Sequence, residues 1–332
     1  MPPVNERLTD TISLAAQSPA LDAASIDIVV TVPTFRRPEH LLKTLDSIAA
    51  QRTTRGFAIV VIENDAERRQ GVAACAPRFE DGSYRGLVIV AHERGNCHAY
   101  NAGWFAALDR FGGLAHIAVI DDDEIADPDW LENLCRTSER FGSALVGGPQ
   151  LPVFGAAARP SWRGHPVFTP HYGTTGPVSV LYSSGNLLVR RDVLDAMPKP
   201  WLDLVFNFTG GGDSDFIRRS LASGFKAAWC NEAIVRETVP DTRVTRSWIT
   251  ARSLRNGALS AVIEHRQGAG NRVAALKTIA KSLALLGVSP IRFINRLARS
   301  RSLLGALYPV HVALGRLMSE FGYANEQYRN PD

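Results

Sequence analysis

The chain has four cysteines in 332 residues, Cys75, Cys97, Cys135 and Cys230, and no two of them form a C-x-x-C pair. This excludes a disulfide scaffold and a thiolate zinc site, and it suits a reducing cytoplasm. No H-x-x-x-H or H-E-x-x-H spacing occurs either, which removes zinc-protease chemistry. No uninterrupted apolar run is long enough to span a bilayer, and residues 1–25 lack the apolar core of a signal peptide. Neither insertion nor export by that route is therefore expected. There is no internal repeat and no low-complexity tract. Acids are missing altogether between Glu264 and Glu320, where nine Lys or Arg occur. With a net charge of +4, that leaves a mildly acidic body and a basic C-terminal region suited to an anionic surface. Aromatics are sparse among those basic residues, so no nucleic-acid partner is expected.

What is present is a strand and helix alternation. Ile26–Pro33, Phe57–Ile62, Leu87–Ala91 and Ala115–Ile120 are short, nearly continuous, β-branched apolar runs of the kind buried on both faces of a parallel sheet. Between them, residues 40–51 carry Leu41, Leu42, Leu45 and Ile48 at helical spacing behind Pro38, and a second helix begins near Asp127-Pro128 and stops at Gly142. The pattern predicts an α/β fold with a mostly parallel, Rossmann-like sheet flanked by helices. After Gly148 the chain turns rich in Gly, Pro and aromatics, and Val178–Arg190 and Lys226–Val235 read again as strands. A short helix over 216–223 separates those two runs.

The most telling run is Asp121-Asp122-Asp123-Glu124, directly after the fourth apolar segment. Stacked carboxylates repel. At the carboxyl end of a strand, where open α/β sheets bind ligands, a divalent cation relieves that repulsion, and hard oxygen donors favour Mg²⁺ or Mn²⁺ between the protein and a substrate's phosphates. The competing reading is a solvated acidic turn ahead of a helix.

In their order along the chain, several motifs resemble the family 2 inverting glycosyltransferases of bacterial polysaccharide biosynthesis, which have the GT-A nucleotide-sugar fold. The resemblance runs from about residue 26 to residue 257. It implies that the loop with Pro33, Thr34, Phe35 and Arg37 lines the nucleotide pocket and that Glu63, Asn64 and Asp65 hold the base. Asn96 and Asn101 would lie beneath the donor phosphates, and Asp121-Asp122-Asp123 would be the metal motif, with Asp121 and Asp123 as ligands. Gly210-Gly211-Gly212-Asp213-Ser214-Asp215-Phe216 resembles the acceptor motif, with Gly212 where many relatives carry Glu. That departure leaves Asp213 as the general base, and Gly211, Gly212, Asp215 and Trp248 as acceptor-side residues; capping of the following helix is the bland role for Asp215, and core packing is that of Trp248. Glu237 is the candidate third metal ligand, against a surface acid paired with an arginine. Arg243 and Arg246 suit a pyrophosphate or simply a solvated face. The histidines read as structural or surface groups, with acceptor contact the alternative for His165 and His171. The Q-x-x-R-W box of processive synthases is not reproduced, which points to addition of a single sugar.

The chemistry follows from the residues. A departing nucleoside diphosphate needs positive charge where its negative charge develops, and an acceptor hydroxyl needs a carboxylate on the opposite face of the sugar. The expectation is an inverting, metal-dependent transferase using a nucleoside-diphosphate sugar, UDP-linked by resemblance, and a glycan or lipid-linked acceptor. A non-catalytic nucleotide-sugar binder, or a metal-dependent phosphohydrolase using Asp121 and Asp123, is the alternative. The expected organisation is an N-terminal extension (1–25), a catalytic domain (26–257, with a nucleotide half 26–150 and an acceptor half 151–257) and a basic helical region (258–332). That last region carries Arg292, Arg296 and Arg299 beside Ile291, Ile294 and Leu297 at helical spacing. It either associates peripherally with the cytoplasmic face of the inner membrane or packs as a cap on the catalytic domain.

Overall fold

The computed structural model describes residues 6–19, 21–156, 158–300 and 302–322. Among the described residues the chain forms two compact units: residues 6–150 together with His171–Glu237, and Leu151–Pro170 together with residues 238–322. The chain leaves the first unit after Gln150 and returns to it at His171. The ends of the expected N-terminal and C-terminal regions, residues 1–5 and 323–332, lie outside the described residues.

In chain order the first unit contains β1 (Glu6–Thr9), β2 (Ile12–Gln17), β3 (Ile28–Thr34), α1 (Pro38–Ala49), β4 (Phe57–Glu63), α2 (Gln70–Glu80), β5 (Gly86–Ala91) and α3 (Asn96–Arg110). It continues with β6 (His116–Ile120), β7 (Glu124–Ala126), α4 (Trp130–Phe141) and β8 (Leu145–Gly147), and the chain then leaves through β9 (Gln150–Phe154) and α5 (Pro160–Arg163). It re-enters with β10 (Gly176–Val178), β11 (Asn186–Arg190), α6 (Arg191–Ala196), α7 (Gly212–Ala222), β12 (Ala227–Trp229) and β13 (Val235–Val239).

Ten of these strands make one sheet in the order β1-β2-β5-β4-β3-β6-β11-β8-β12-β10. The four central strands, β5, β4, β3 and β6, are parallel, as their unbroken β-branched runs dictate. The sheet as a whole is mixed, because β11 runs antiparallel to both β6 and β8 and the β1–β2 hairpin adds antiparallel to β5. The hairpin belongs to the segment read as an N-terminal extension. One face of the sheet packs Ile28, Val30 and Val32 against Leu41, Leu45 and Ile48 of α1, Phe79 of α2 and Trp130 and Leu134 of α4. α3 lies close against β3 and β4, where Gly103 is required: a Cβ there would sit 2.6 Å from Ile62 Cδ1. α4 ends as read, on Gly142 at φ 59°.

The second unit contains α8 (Arg246–Gln267), α9 (Arg272–Ser300) and α10 (Leu303–Glu320). α8 and α10 cross at glycine. A Cβ on Gly257 would come within 2.0 Å of the Val312 carbonyl oxygen, and one on Gly315 within 1.9 Å of that of Leu254. Arg316 is buried at this crossing and donates to Ser260, Ser282 and both carboxylate oxygens of Glu264. Pro290 removes the amide that would bond the Leu286 carbonyl, and the Ser289 hydroxyl donates to that oxygen at 2.8 Å instead. Although Lys277 and Lys281 interrupt its apolar residues, α9 is long and apolar enough to cross a membrane by length and composition alone, an 18-residue window within it having mean hydropathy 1.3.

Candidate active site

The carboxyl ends of β3, β4 and β6 carry Thr34, Glu63 and Asp121 side by side, which is where a parallel sheet presents its ligand crevice. The loop after β3 is tied to the acidic run. Thr34 Oγ1 donates to Asp122 Oδ2 at 2.8 Å, and Arg37 Nη1 donates to Asp122 Oδ1 at 3.1 Å and to Asp123 Oδ2 at 2.7 Å. Arg36, between them, is held at φ 58°, a left-handed conformation that a non-glycine residue rarely keeps without surrounding contacts, and its Nε donates to Asp65. Phe35 lies under two guanidinium groups, those of Arg36 at 4.6 Å and Arg94 at 5.0 Å from the ring centre. Pro33 is half-buried at the strand end.

The second expected group is drawn together as well, with different duties for its members. Glu63 is fully buried and accepts the backbone N–H groups of Asp65, Gly71 and Val72, so its carboxylate closes the turn into α2 instead of facing an open cleft; burial nonetheless pushes its pKa up. Asn64 donates to the Glu93 carbonyl and accepts from Gly95 N, which joins this loop to the next one. Burial opposes ionisation of Asp65, but the Arg36 hydrogen bond and the Arg68 N–H outweigh it and hold the carboxyl below its ordinary range.

Asn96 is exposed at the first turn of α3. Asn101 exchanges hydrogen bonds with both backbone groups of Leu202, so it anchors the loop before α7. The sequence reading missed Asn207. Its Oδ1 accepts Cys97 N at 3.1 Å, its Nδ2 donates to the Arg94 carbonyl at 3.0 Å, and it lies so close to Gly95 (φ 132°) that a Cβ there would meet Nδ2 at 2.0 Å. No local signal marks an asparagine whose partners are more than a hundred residues away.

The acidic run itself is crowded. Asp121 is half-buried, and Asp122, Asp123 and Glu124 are buried. Burial, with Asp123 alongside, pushes the Asp121 carboxyl up to about 7 against the hydrogen bond from Tyr100, while Asp122 and Glu237 add repulsion. Burial likewise lifts Asp122 to about 6, although Arg37 pulls it down. Glu124 rises well above its ordinary value through burial, then Asp121, then Glu237. Glu237 on β13 stands opposite Glu124 on β7, which explains that last repulsion and brings the third candidate ligand to the same acidic corner. Among the described residues no three acidic, histidine or cysteine side chains form a ready-made metal cage. The donor set is nonetheless all hard oxygen and short of positive charge, which is the chemistry a Mg²⁺ or Mn²⁺ site requires.

The acceptor motif opens α7. Gly211 is left-handed at φ 98°, and Gly212 is buried against Cys97, whose Sγ would be 2.7 Å from a Cβ. A side chain at position 212 would require Cys97 to shift. Asp213 remains half-exposed, with Ser184 Oγ 3.4 Å from its Oδ2. Ser184 Oγ is also 3.1 Å from the Tyr100 hydroxyl, which donates to Asp121 Oδ1 at 2.9 Å. Tyr100 was not singled out in the sequence. Asp215 is buried and accepts Arg219 Nε at 2.7 Å, one helical turn on, so its carboxylate is a helix ion pair and neither caps α7 nor lies open to an acceptor. Trp248 stacks on Phe168 at 6.0 Å within the second unit's apolar cluster. Arg243 and Arg246 also belong to the second unit, half-buried and exposed respectively. His171 stacks on Tyr182 at 4.0 Å, and His165 is buried against Phe168 and Tyr308.

Comparison with known proteins supports the fold and the chemistry class. A family model described as Glycosyl transferase family 2 matches residues 29–197. Succinoglycan biosynthesis protein ExoM of Rhizobium meliloti is 31% identical over 239 residues, 70% of this chain and 74% of the relative. Glucosyl-dolichyl phosphate glucuronosyltransferase of Haloferax volcanii is 27% identical over 128 residues, 38% of each chain. The solved mannosyltransferase PcManGT of Pyrobaculum calidifontis, in complex with GDP-Man and Mn²⁺, superposes with a TM-score of 0.55 at 17% identity, covering 90% of this chain and 89% of its own. The matched span includes the β3 loop, the Glu63 turn and the acidic run, and the chain therefore belongs to glycosyltransferase family 2, with the GT-A fold.

Proposed function

We propose that the protein transfers one sugar, with inversion, from a nucleoside-diphosphate sugar to a hydroxyl of a glycan or lipid-linked acceptor in polysaccharide assembly. The observation that carries this reading is the short polar path between Asp121 and Asp213: Tyr100 donates to Asp121 Oδ1, and the Ser184 hydroxyl, with one proton to give to either, lies 3.1 Å from the Tyr100 oxygen and 3.4 Å from Asp213 Oδ2. It links the acidic strand end, suited to a metal and diphosphate, with a half-exposed carboxylate suited to deprotonate an acceptor. Asp121, Asp123 and Glu237 would hold a divalent cation, which when bound would neutralise the departing diphosphate. Asp213 takes the proton of the attacking hydroxyl. Thr34, Phe35, Arg37, Asn64 and Asp65 line the donor side. The relatives' names favour polysaccharide assembly and a lipid-linked acceptor, and resemblance favours a UDP-linked donor.

The test is a screen of nucleotide sugars with Mn²⁺, Mg²⁺ or chelator, reading nucleoside diphosphate release and the anomeric configuration of the product by NMR. Metal-dependent release with inversion is expected, with Asp213→Asn lowering kcat about 10²- to 10⁴-fold. Retained configuration, or undiminished turnover by that variant, would overturn the base assignment. Phosphate release from sugar phosphates with nucleotide sugars left intact would favour the phosphohydrolase.

A further inference from the structure

α9 is built inside out. Its buried side chains are Thr278, Ser282 and Ser289, with Leu285, Leu286 and Phe293 half-buried, while Val273, Leu276, Ile279, Leu283, Val288, Ile291, Ile294 and Leu297 are each 36–65% exposed. At about 100° per residue all of these exposed residues except Val288 fall within an arc of roughly 120° and extend about 36 Å along the helix. A helix in water buries its apolar stripe, and an outward stripe of this length marks an interaction surface.

The charge beside the stripe identifies the occupant. Lys277, Lys281, Arg292, Arg296 and Arg299 line the neighbouring arc, and no acid occurs anywhere between Glu264 and Glu320. Arg292, Asn295, Arg296 and Arg299 of α9 also border a cavity of about 400 Å³ shared with Tyr308 of α10, where the Arg296 guanidinium lies 5.7 Å from the Tyr308 ring centre. Apolar side chains facing out with guanidinium groups on the flank match a bilayer interface, where the acyl region meets anionic phosphates. A second copy of the chain would have to bring acids to this flank, and α8 to α10 have few to offer. A spanning orientation is disfavoured because Lys281, in mid-helix, holds Glu264 of α8 at 2.6 Å, and hydrocarbon would have to take in that pair.

We infer that α9 lies in the plane of an anionic membrane surface, its Val273–Leu297 stripe immersed and the Arg292, Arg296 and Arg299 cleft taking a lipid phosphate. This goes beyond the transfer reaction and does not depend on the assignment of Asp213 or of the metal. The full-length protein is sedimented with vesicles of phosphatidylcholine alone or mixed with phosphatidylglycerol. Binding to the mixed vesicles only, weakened by salt, is expected. Leu276→Ser/Ile294→Ser should abolish it, and Arg292→Gln/Arg299→Gln should weaken it by roughly fivefold per charge. All four side chains are exposed, so circular dichroism and thermal unfolding should match the wild type. Equal binding to neutral vesicles, no binding, or wild-type binding by the serine variant overturns the proposal. So would protein that only detergent removes from the vesicles, which means spanning, or a dimer in sedimentation equilibrium that the serine variant disperses. No sugar transfer is read, so failure here leaves the proposed reaction standing.

Discussion

Tyr100 donates its hydroxyl to Asp121 Oδ1 at 2.9 Å from a side chain only 4% exposed. The bond favours the carboxylate form of Asp121, which burial and three neighbouring acids oppose. Tyr100→Phe removes that donor without changing the ring's packing against Trp104. The expected outcome is a rise of about tenfold or more in the Mn²⁺ concentration giving half-maximal rate, since a hydrogen bond to a charged group contributes about 1.5–3 kcal/mol. Titrating the metal at saturating donor checks it. An unchanged midpoint would mean that Tyr100 is only a packing residue.

Gly212 and Cys97 make a second coupled pair. With Cys97 Sγ 2.7 Å from the position of a Cβ, Gly212→Ala must displace a buried side chain and should cost about 1–3 kcal/mol, read from denaturant midpoints. Cys97→Ala/Gly212→Ala should recover much of that loss. Additive losses would place the strain elsewhere on α7.

These contacts show where sequence reading ends. β3, β4, β5 and β6 were legible to within a residue or two because they are buried on both faces, and burial on both faces leaves a continuous apolar signature. α4 was legible from its apolar spacing and Gly142. The β1–β2 hairpin was not: its pairing with β5 is a tertiary choice, and its outer strand, Glu6–Thr9, is polar. Within the site, the strand-end acids could be named from position alone, while their duties could not. Glu63 reads as a ligand residue until its oxygens are found on the N–H groups of Asp65, Gly71 and Val72, and Asp215 until Arg219 takes it. Tyr100, Ser184 and Asn207 stand in no motif. Their importance comes from partners 21 to 113 residues away, which no local pattern encodes.

Arg316 gives a prediction for the second unit. It is 2% exposed and bonds both oxygens of Glu264, whose pKa is lowered by the Arg316 and Lys281 hydrogen bonds acting against burial. Arg316→Met leaves Glu264 without its buried partner and should cost about 3–5 kcal/mol. Arg316→Met/Glu264→Leu should restore most of that stability, because a buried pair replaced by apolar side chains is close to neutral. Chemical unfolding of the four proteins of the cycle measures the coupling. If the double variant is as unstable as the single one, the pair is not what holds α8 to α10.

His165 sets an acid limit on stability. Burial lowers its pKa from 6.5 to about 4, and its Nδ1 accepts Val167 N at 3.2 Å, so the folded protein holds the neutral ring. The unfolded chain takes up the proton near 6.5. Between that value and about 4 the unfolded state therefore binds more protons than the native one, and stability rises with pH across the window. The contribution is complete above about pH 6.5 and is lost progressively as pH falls. In His165→Asn the amide oxygen can still accept from Val167 N, but the titrating group is gone. This variant should be less stable at pH 7 because of the space left beside Phe168 and Tyr308, yet its Tm should fall less steeply than the wild type's between pH 6.5 and 4. The slope of that comparison is the measurement. Parallel curves for the two proteins would mean that the imidazole is protonated inside the fold as readily as outside it, and the acid sensitivity would then belong to other groups.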